Sequence, residues 1–86
     1  MIEISKIKET IKKVLKDAII EIQNPAQDGL HFEAVVVSAL FEGKSLTEQH
    51  QIVMQSLKNL FNSSLHALSL KTYTPNEWVL AANRNQ

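Results

Sequence analysis

Cysteine is absent from the chain. That excludes a disulfide framework, a thiolate metal site and a thiol nucleophile. Glycine is nearly absent too: Gly29 and Gly43 are the only two, too far apart for a phosphate-cradling loop. Neither sign of charge is in excess. Nine Lys and Arg balance nine Asp and Glu, so no global field draws the protein to nucleic acid or to an anionic membrane. No apolar run approaches the ~20 residues of a membrane span. The start, Met1-Ile2-Glu3-Ile4-Ser5-Lys6, lacks the basic segment and apolar stretch of a secretory signal. A soluble, cytoplasmic protein is expected. Nothing resembles a Ser-His-Asp arrangement, and Asp17 and Asp28 read as isolated, which leaves no paired catalytic carboxylates.

What is present suffices for one domain over residues 1–86. A chain this short buries only roughly 60–65% of its unfolded surface, so its core is thin. A deep catalytic cavity would compete with that core, which favours a binding module over an enzyme. Ile4, Ile7, Ile11, Val14 and Leu15 recur at helical steps over residues 4–16, with lysines on the opposite face. Residues 18–23 and 30–38 read as two strands of a hairpin around Asn24-Pro25-Ala26-Gln27-Asp28-Gly29. Val35-Val36-Val37 is apolar on both faces, as in an inner strand.

Ser45 stands three residues before Glu48, a capping box. One helix is predicted over 46–60, with Leu46, Val53, Leu57 and Leu60 on its apolar face. A third strand is predicted over 65–71. A second capping box, Thr74-Pro75-Asn76-Glu77, then opens a short helix carrying Trp78 and Val79, with residues 83–86 frayed. The expected fold is α+β, in the order α-β-β-α-β-α: a three-stranded mixed sheet with helices on one face. The hairpin makes strands one and two antiparallel. The helical crossover makes strands two and three parallel.

Four stretches occur in an order that resembles the BolA family, whose fold is similar to the type II KH domain. They are His31-Phe32 with Val35-Val36-Val37-Ser38; Phe41-Glu42-Gly43; His50-Gln51; and His66 to Thr72 followed by Thr74-Pro75-Asn76-Glu77-Trp78. The resemblance spans nearly the whole chain. Two positions depart from it: Gln49 stands where the family usually has Arg or Lys, and the hairpin loop carries no Cys or extra His. The resemblance implies a non-enzymatic partner of a monothiol glutaredoxin, in 2Fe–2S cluster assembly, delivery or iron sensing. The cluster would be shared with the glutaredoxin and glutathione, and the protein would be a colourless monomer when alone. The alternative is a DNA-binding transcriptional regulator using the KH-like face. Against it stand the zero net charge, the lack of the GxxG loop with which KH domains clamp a backbone, and the lack of the paired surface aromatics of an RRM.

Neutral imidazole is a competent iron ligand. A chain without thiolates cannot hold a 2Fe–2S cluster alone. His66 falls on the family's cluster-ligating histidine; by itself it reads as a strand-end residue sharing a face with Leu68 and Leu70. His31, beside the loop, is either a second metal ligand or a half-exposed strand residue with no role. His50 flanks the apolar face and reads as structural. The implied partner surface takes in Lys71, Thr72, Thr74, Pro75 and Trp78. For Trp78 the other reading is an end-cap of the core; the lysines of the first helix read either as a phosphate-facing patch or as a solvated face.

Overall fold

The computed structural model describes residues 2–84. Helix α1 spans Ile4–Val14. Ile7, Ile11 and Leu15, four residues apart, are fully or nearly fully buried, whereas Val14 is 52% exposed. Val14 was expected on the apolar face, but it lies off the line those three residues define. The Leu15 N–H makes the last helical bond, to the Ile11 carbonyl, and the Ala18 N–H then closes a tight turn onto the Leu15 carbonyl. Strand β1, Ile19–Gln23, alternates, with Ile20 and Ile22 inward. Strand β2, His31–Val37, buries Phe32, Ala34 and Val36 on the same side.

With β3 at Ala67–Tyr73, the sheet order is β1-β2-β3; β1–β2 is antiparallel and β2–β3 parallel, as the sequence predicts. One face packs on α1 and the following helix, α2 (Leu46–Ser56), in a single core holding Ile7, Ile11, Phe32, Phe41, Val53 and Leu57. The other face carries cross-strand rows. Ile19, Val37 and Tyr73 form one, Glu21, Val35 and Lys71 the next, then Gln23, Glu33 and Ser69, and last His31 with Ala67.

A 3₁₀ turn at Ala39–Phe41 follows β2. Gly43 then takes φ +77°, a backbone conformation that glycine adopts without steric cost. Ser45 caps α2, Leu46–Ser56, with both bonds of the capping box present. The buried stripe of α2 is Gln49, Val53 and Leu57, at four-residue steps; Leu46 was expected in it but is 61% exposed.

The single helix predicted over 46–60 is interrupted. α2 ends at Ser56 and a short α3 spans Lys58–Phe61, with Leu57 between them at φ −98°, ψ 4°. The Ser56 hydroxyl donates to the Val53 carbonyl at 2.5 Å, a back-bond that bends helices. The Leu57 N–H is shared between the Val53 and Met54 carbonyls while its side chain is fully buried.

Strand β3 is displaced from the predicted 65–71 to Ala67–Tyr73. The N–H groups of Ser64 and Leu65 both donate to the Leu60 carbonyl at 2.8 Å, so the chain is still closing the helix end there. The Thr74 box opens α4, Pro75–Arg84, with Glu77 and Thr74 bonded reciprocally. Asn83 and Arg84, expected to be frayed, continue the helix; residues 85 and 86 lie outside the described part. Among the described residues, no helix is long and apolar enough to cross a membrane.

Candidate functional site

The β1–β2 loop is organised by two short acidic or amide side chains. The Asn24 Nδ2 donates to the His31 carbonyl at 3.0 Å, and its Oδ1 accepts from the Gly29 N–H at 3.3 Å. The Asp28 Oδ1 accepts the N–H groups of Leu30 and His31, at 2.9 and 3.1 Å. Its Oδ2 lies 2.7 Å from the His31 Nδ1. These contacts hold the Asp28 carboxyl well below the ordinary carboxylate range: chiefly the Leu30 N–H, then the imidazole, then the His31 N–H. The His31 side chain is 67% exposed, at the first position of β2.

The Ala67 N–H donates to the Leu30 carbonyl at 3.0 Å, and Ala67 is the register partner of His31. His66 precedes it directly and is exposed, held between buried Leu65 and the first rung of the β2–β3 ladder. Both candidate ligands therefore stand at one end of the sheet. His66 lies one residue before β3 and not inside it. A shallow groove of about 370 Å³ starts at His31 and runs past Glu33, Ala67 and Ser69. Among the described residues, no three His, Cys, Asp or Glu side chains converge as a metal site. A depression of about 390 Å³ along α2, lined by Lys44, Glu48 and Ile52, contains no histidine.

His50 is half-buried. Its Nε2 is shut off from solvent, as expected of a residue against the core, but among the described residues it has no hydrogen-bond partner, where the structural reading expects one. Of the expected partner surface, Lys71 and Pro75 are exposed, and Thr74 and Trp78 are half-buried. Thr72 instead faces inward, 7% exposed, and its hydroxyl donates to the Gln49 Oε1 at 2.7 Å. Trp78 lies outside the main core and stacks obliquely on Tyr73, with centroids 5.2 Å apart.

The aspartates are not isolated. Besides the Asp28–His31 pair, Asp17 accepts the Ser38 hydroxyl at 2.7 Å and the Ala39 N–H at 2.8 Å. The Ser38 hydroxyl is the largest influence lowering the Asp17 pKa; desolvation opposes it and the Ala39 N–H assists. The signal for the Asp28 network was in the sequence: Asn and Asp in a glycine-containing turn bond the backbone two or three residues on. The Asp17 contacts and the Gln49–Thr72 bond gave no local signal, because their partners are 21 to 23 residues apart.

Comparison with known proteins identifies the fold and the family. The family model described as BolA-like protein covers residues 11–77. A BolA-like protein of Dictyostelium discoideum is 38% identical over 82 residues, 86% of this chain and 72% of its own. A Haemophilus influenzae protein named DNA-binding transcriptional regulator BolA is 33% identical over 79 residues, 84% of this chain and 77% of its own. The structure of a bolA protein homologue from Coxiella burnetii superposes with a TM-score of 0.79 at 39% identity, covering 92% of this chain and 99% of that one. None of these descriptions is that of an enzyme. With the loop, the crossover helix and the histidine end all inside the matched span, the chain belongs to the BolA family.

Proposed function

We propose that this protein is the histidine-donating half of a bridged 2Fe–2S site, formed with a monothiol glutaredoxin and glutathione. The observation that carries the proposal is the placing of two exposed imidazoles at one end of the sheet in a chain without cysteine. His66 is the principal ligand and His31 the second. The donor set fits part of a cluster and not the whole: two nitrogens are available and the thiolates come from the partner and from glutathione. Imidazole in place of thiolate raises a cluster's reduction potential. The residues of this chain hold the two rings at the sheet end and offer Lys71, Pro75 and Trp78 as further contact surface along β3 and α4.

The test is anaerobic reconstitution with the cognate monothiol glutaredoxin and glutathione, followed by visible circular dichroism. The expected outcome is a coloured heterocomplex whose spectrum changes, and whose cluster becomes labile, in His66→Ala. A wild-type spectrum and cluster lifetime in that variant would reduce the protein to a docking partner that never touches iron. The second reading, a DNA-binding regulator, draws on the name of the Haemophilus relative and on exposed Lys6, Lys12 and Lys13 along α1. DNA retention at physiological salt, with a steep salt dependence lost on replacing those lysines, would favour it.

A further inference from the structure

We infer that Asp28 is a positioning residue that fixes His31 as the Nδ1–H tautomer and so presents Nε2 as the ring's lone-pair donor. The use of that nitrogen rests on the reading of His31 as a ligand; the tautomer itself does not. Asp28 Oδ1 is taken up by the N–H groups of Leu30 and His31, with the Asn24 amide 3.5 Å away. That fixes the carboxylate's orientation and leaves Oδ2 facing Nδ1 at 2.7 Å.

An ionised carboxylate only accepts, so the hydrogen in this contact belongs to Nδ1. A neutral imidazole carries one hydrogen, and Nε2 is then bare. Free in water, the ring has no such constraint. Asn24 clamps the other side of the same turn, holding the His31 carbonyl and the Gly29 N–H. The pair is mostly exposed, with side chains 67% and 32% accessible, and an exposed pair of this kind adds little to stability. Its consequence is chemical: carboxylates and carbonyls on the non-ligating nitrogen orient metal-binding histidines and make them more basic.

Asp28→Asn makes the inference sharp. The two backbone N–H groups keep the amide oxygen on their side, so Nδ2 replaces Oδ2 opposite the ring. Nδ2 donates, Nδ1 becomes the acceptor, and the hydrogen moves to Nε2. The outline of the loop is unchanged while the lone pair is removed from the outward nitrogen.

The experiment uses the ¹⁵N-labelled full chain without metal, at a pH where imidazole is neutral. Long-range ¹H–¹⁵N correlations report which ring nitrogen of His31 is protonated. The expected result is a protonated Nδ1 in the wild type and a protonated Nε2 in Asp28→Asn, with backbone amide shifts unchanged outside the loop. A wild-type ring that is Nε2–H, or an even mixture, overturns the inference without recourse to any variant. So does a ring that stays Nδ1–H in Asp28→Asn. Reconstituted heterocomplexes then separate this inference from the ligand reading. If Asp28→Asn and His31→Ala both shorten the cluster lifetime, Asp28→Asn by about 10-fold or more, both stand. If the tautomer inverts and neither variant alters the spectrum or lifetime, Asp28 still sets the ring, and the assignment of His31 as a ligand falls.

Discussion

Gln49 shows what a single position can hide. Read along the sequence it is a departure from a basic residue; in the fold it is 7% exposed and joins three segments. Its Nε2 donates to the Lys44 carbonyl at 3.0 Å and to the Phe41 carbonyl at 3.4 Å, while its Oε1 accepts the Thr72 hydroxyl. An Arg or Lys there has no acceptor to offer Thr72. Gln49→Leu keeps the bulk but strands a buried hydroxyl and two carbonyls. It should cost about 1–3 kcal/mol in urea unfolding, and a Thr72→Val/Gln49→Leu cycle should show non-additive coupling. Gln27 is the converse case. It adopts φ 55° in the hairpin loop, a region costing most L-residues roughly 1–2 kcal/mol. Gln27→Gly should raise the urea midpoint with the slope unchanged, by up to about 1 kcal/mol. The loop was legible from its composition. That Gln27 joins Gly29, at φ 69°, in the left-handed region was not, because Gln carries no such preference.

At the scale of elements, the helix starts are legible in the sequence, whereas the break in the crossover helix and the bounds of β3 are not. Both capping boxes stand where the sequence puts them, because a box is a local exchange of bonds. Ser45→Ala should accordingly cost about 1 kcal/mol, measured by urea unfolding. The interruption at Leu57 and the late start of β3 depend on which side chains reach the core, and periodicity alone does not carry that. The turn between α1 and β1 is tied to the turn after β2 by Asp17, a link between residues far apart in the chain. Folding lowers the Asp17 pKa from its ordinary 3.8. Its contribution is therefore fully present above that value and is lost as pH falls through the folded value. Wild type and Asp17→Asn should differ in stability near neutrality and converge in acid below the folded pKa, as thermal melts across the pH range would show. A constant difference would mean that charge plays no part in the link.

Over the whole molecule, the parallel pairing of β2 with β3 decides how the proposed contact surface is laid out. His31 pairs with Ala67 at one end of the sheet and Val37 with Tyr73 at the other. Seven-residue strands rising about 3.3 Å per residue separate those ends by roughly 20 Å. The topology was legible, since a tight turn and a helical crossover leave few ways to arrange three strands. Its consequence needed the register: His66 and Trp78 cannot serve one small ligand, and a partner covering both must lie along β3. Ligation and docking then become separable. Trp78 stacks on Tyr73 outside the main core, so Trp78→Ala should cost the fold only about 0.5–1.5 kcal/mol from the aromatic pair. It should weaken association with the proposed glutaredoxin partner, measured by calorimetry without cluster, while the visible spectrum of the saturated complex stays that of wild type. His66→Ala should show the opposite pattern, with an altered spectrum and nearly unchanged association of the cluster-free proteins. If Trp78→Ala leaves association untouched, the partner stays at the histidine end and the far half of β3 is not part of the interface. If both variants weaken association of the cluster-free proteins equally, the two ends are not independent, and the division between a ligating end and a docking end fails.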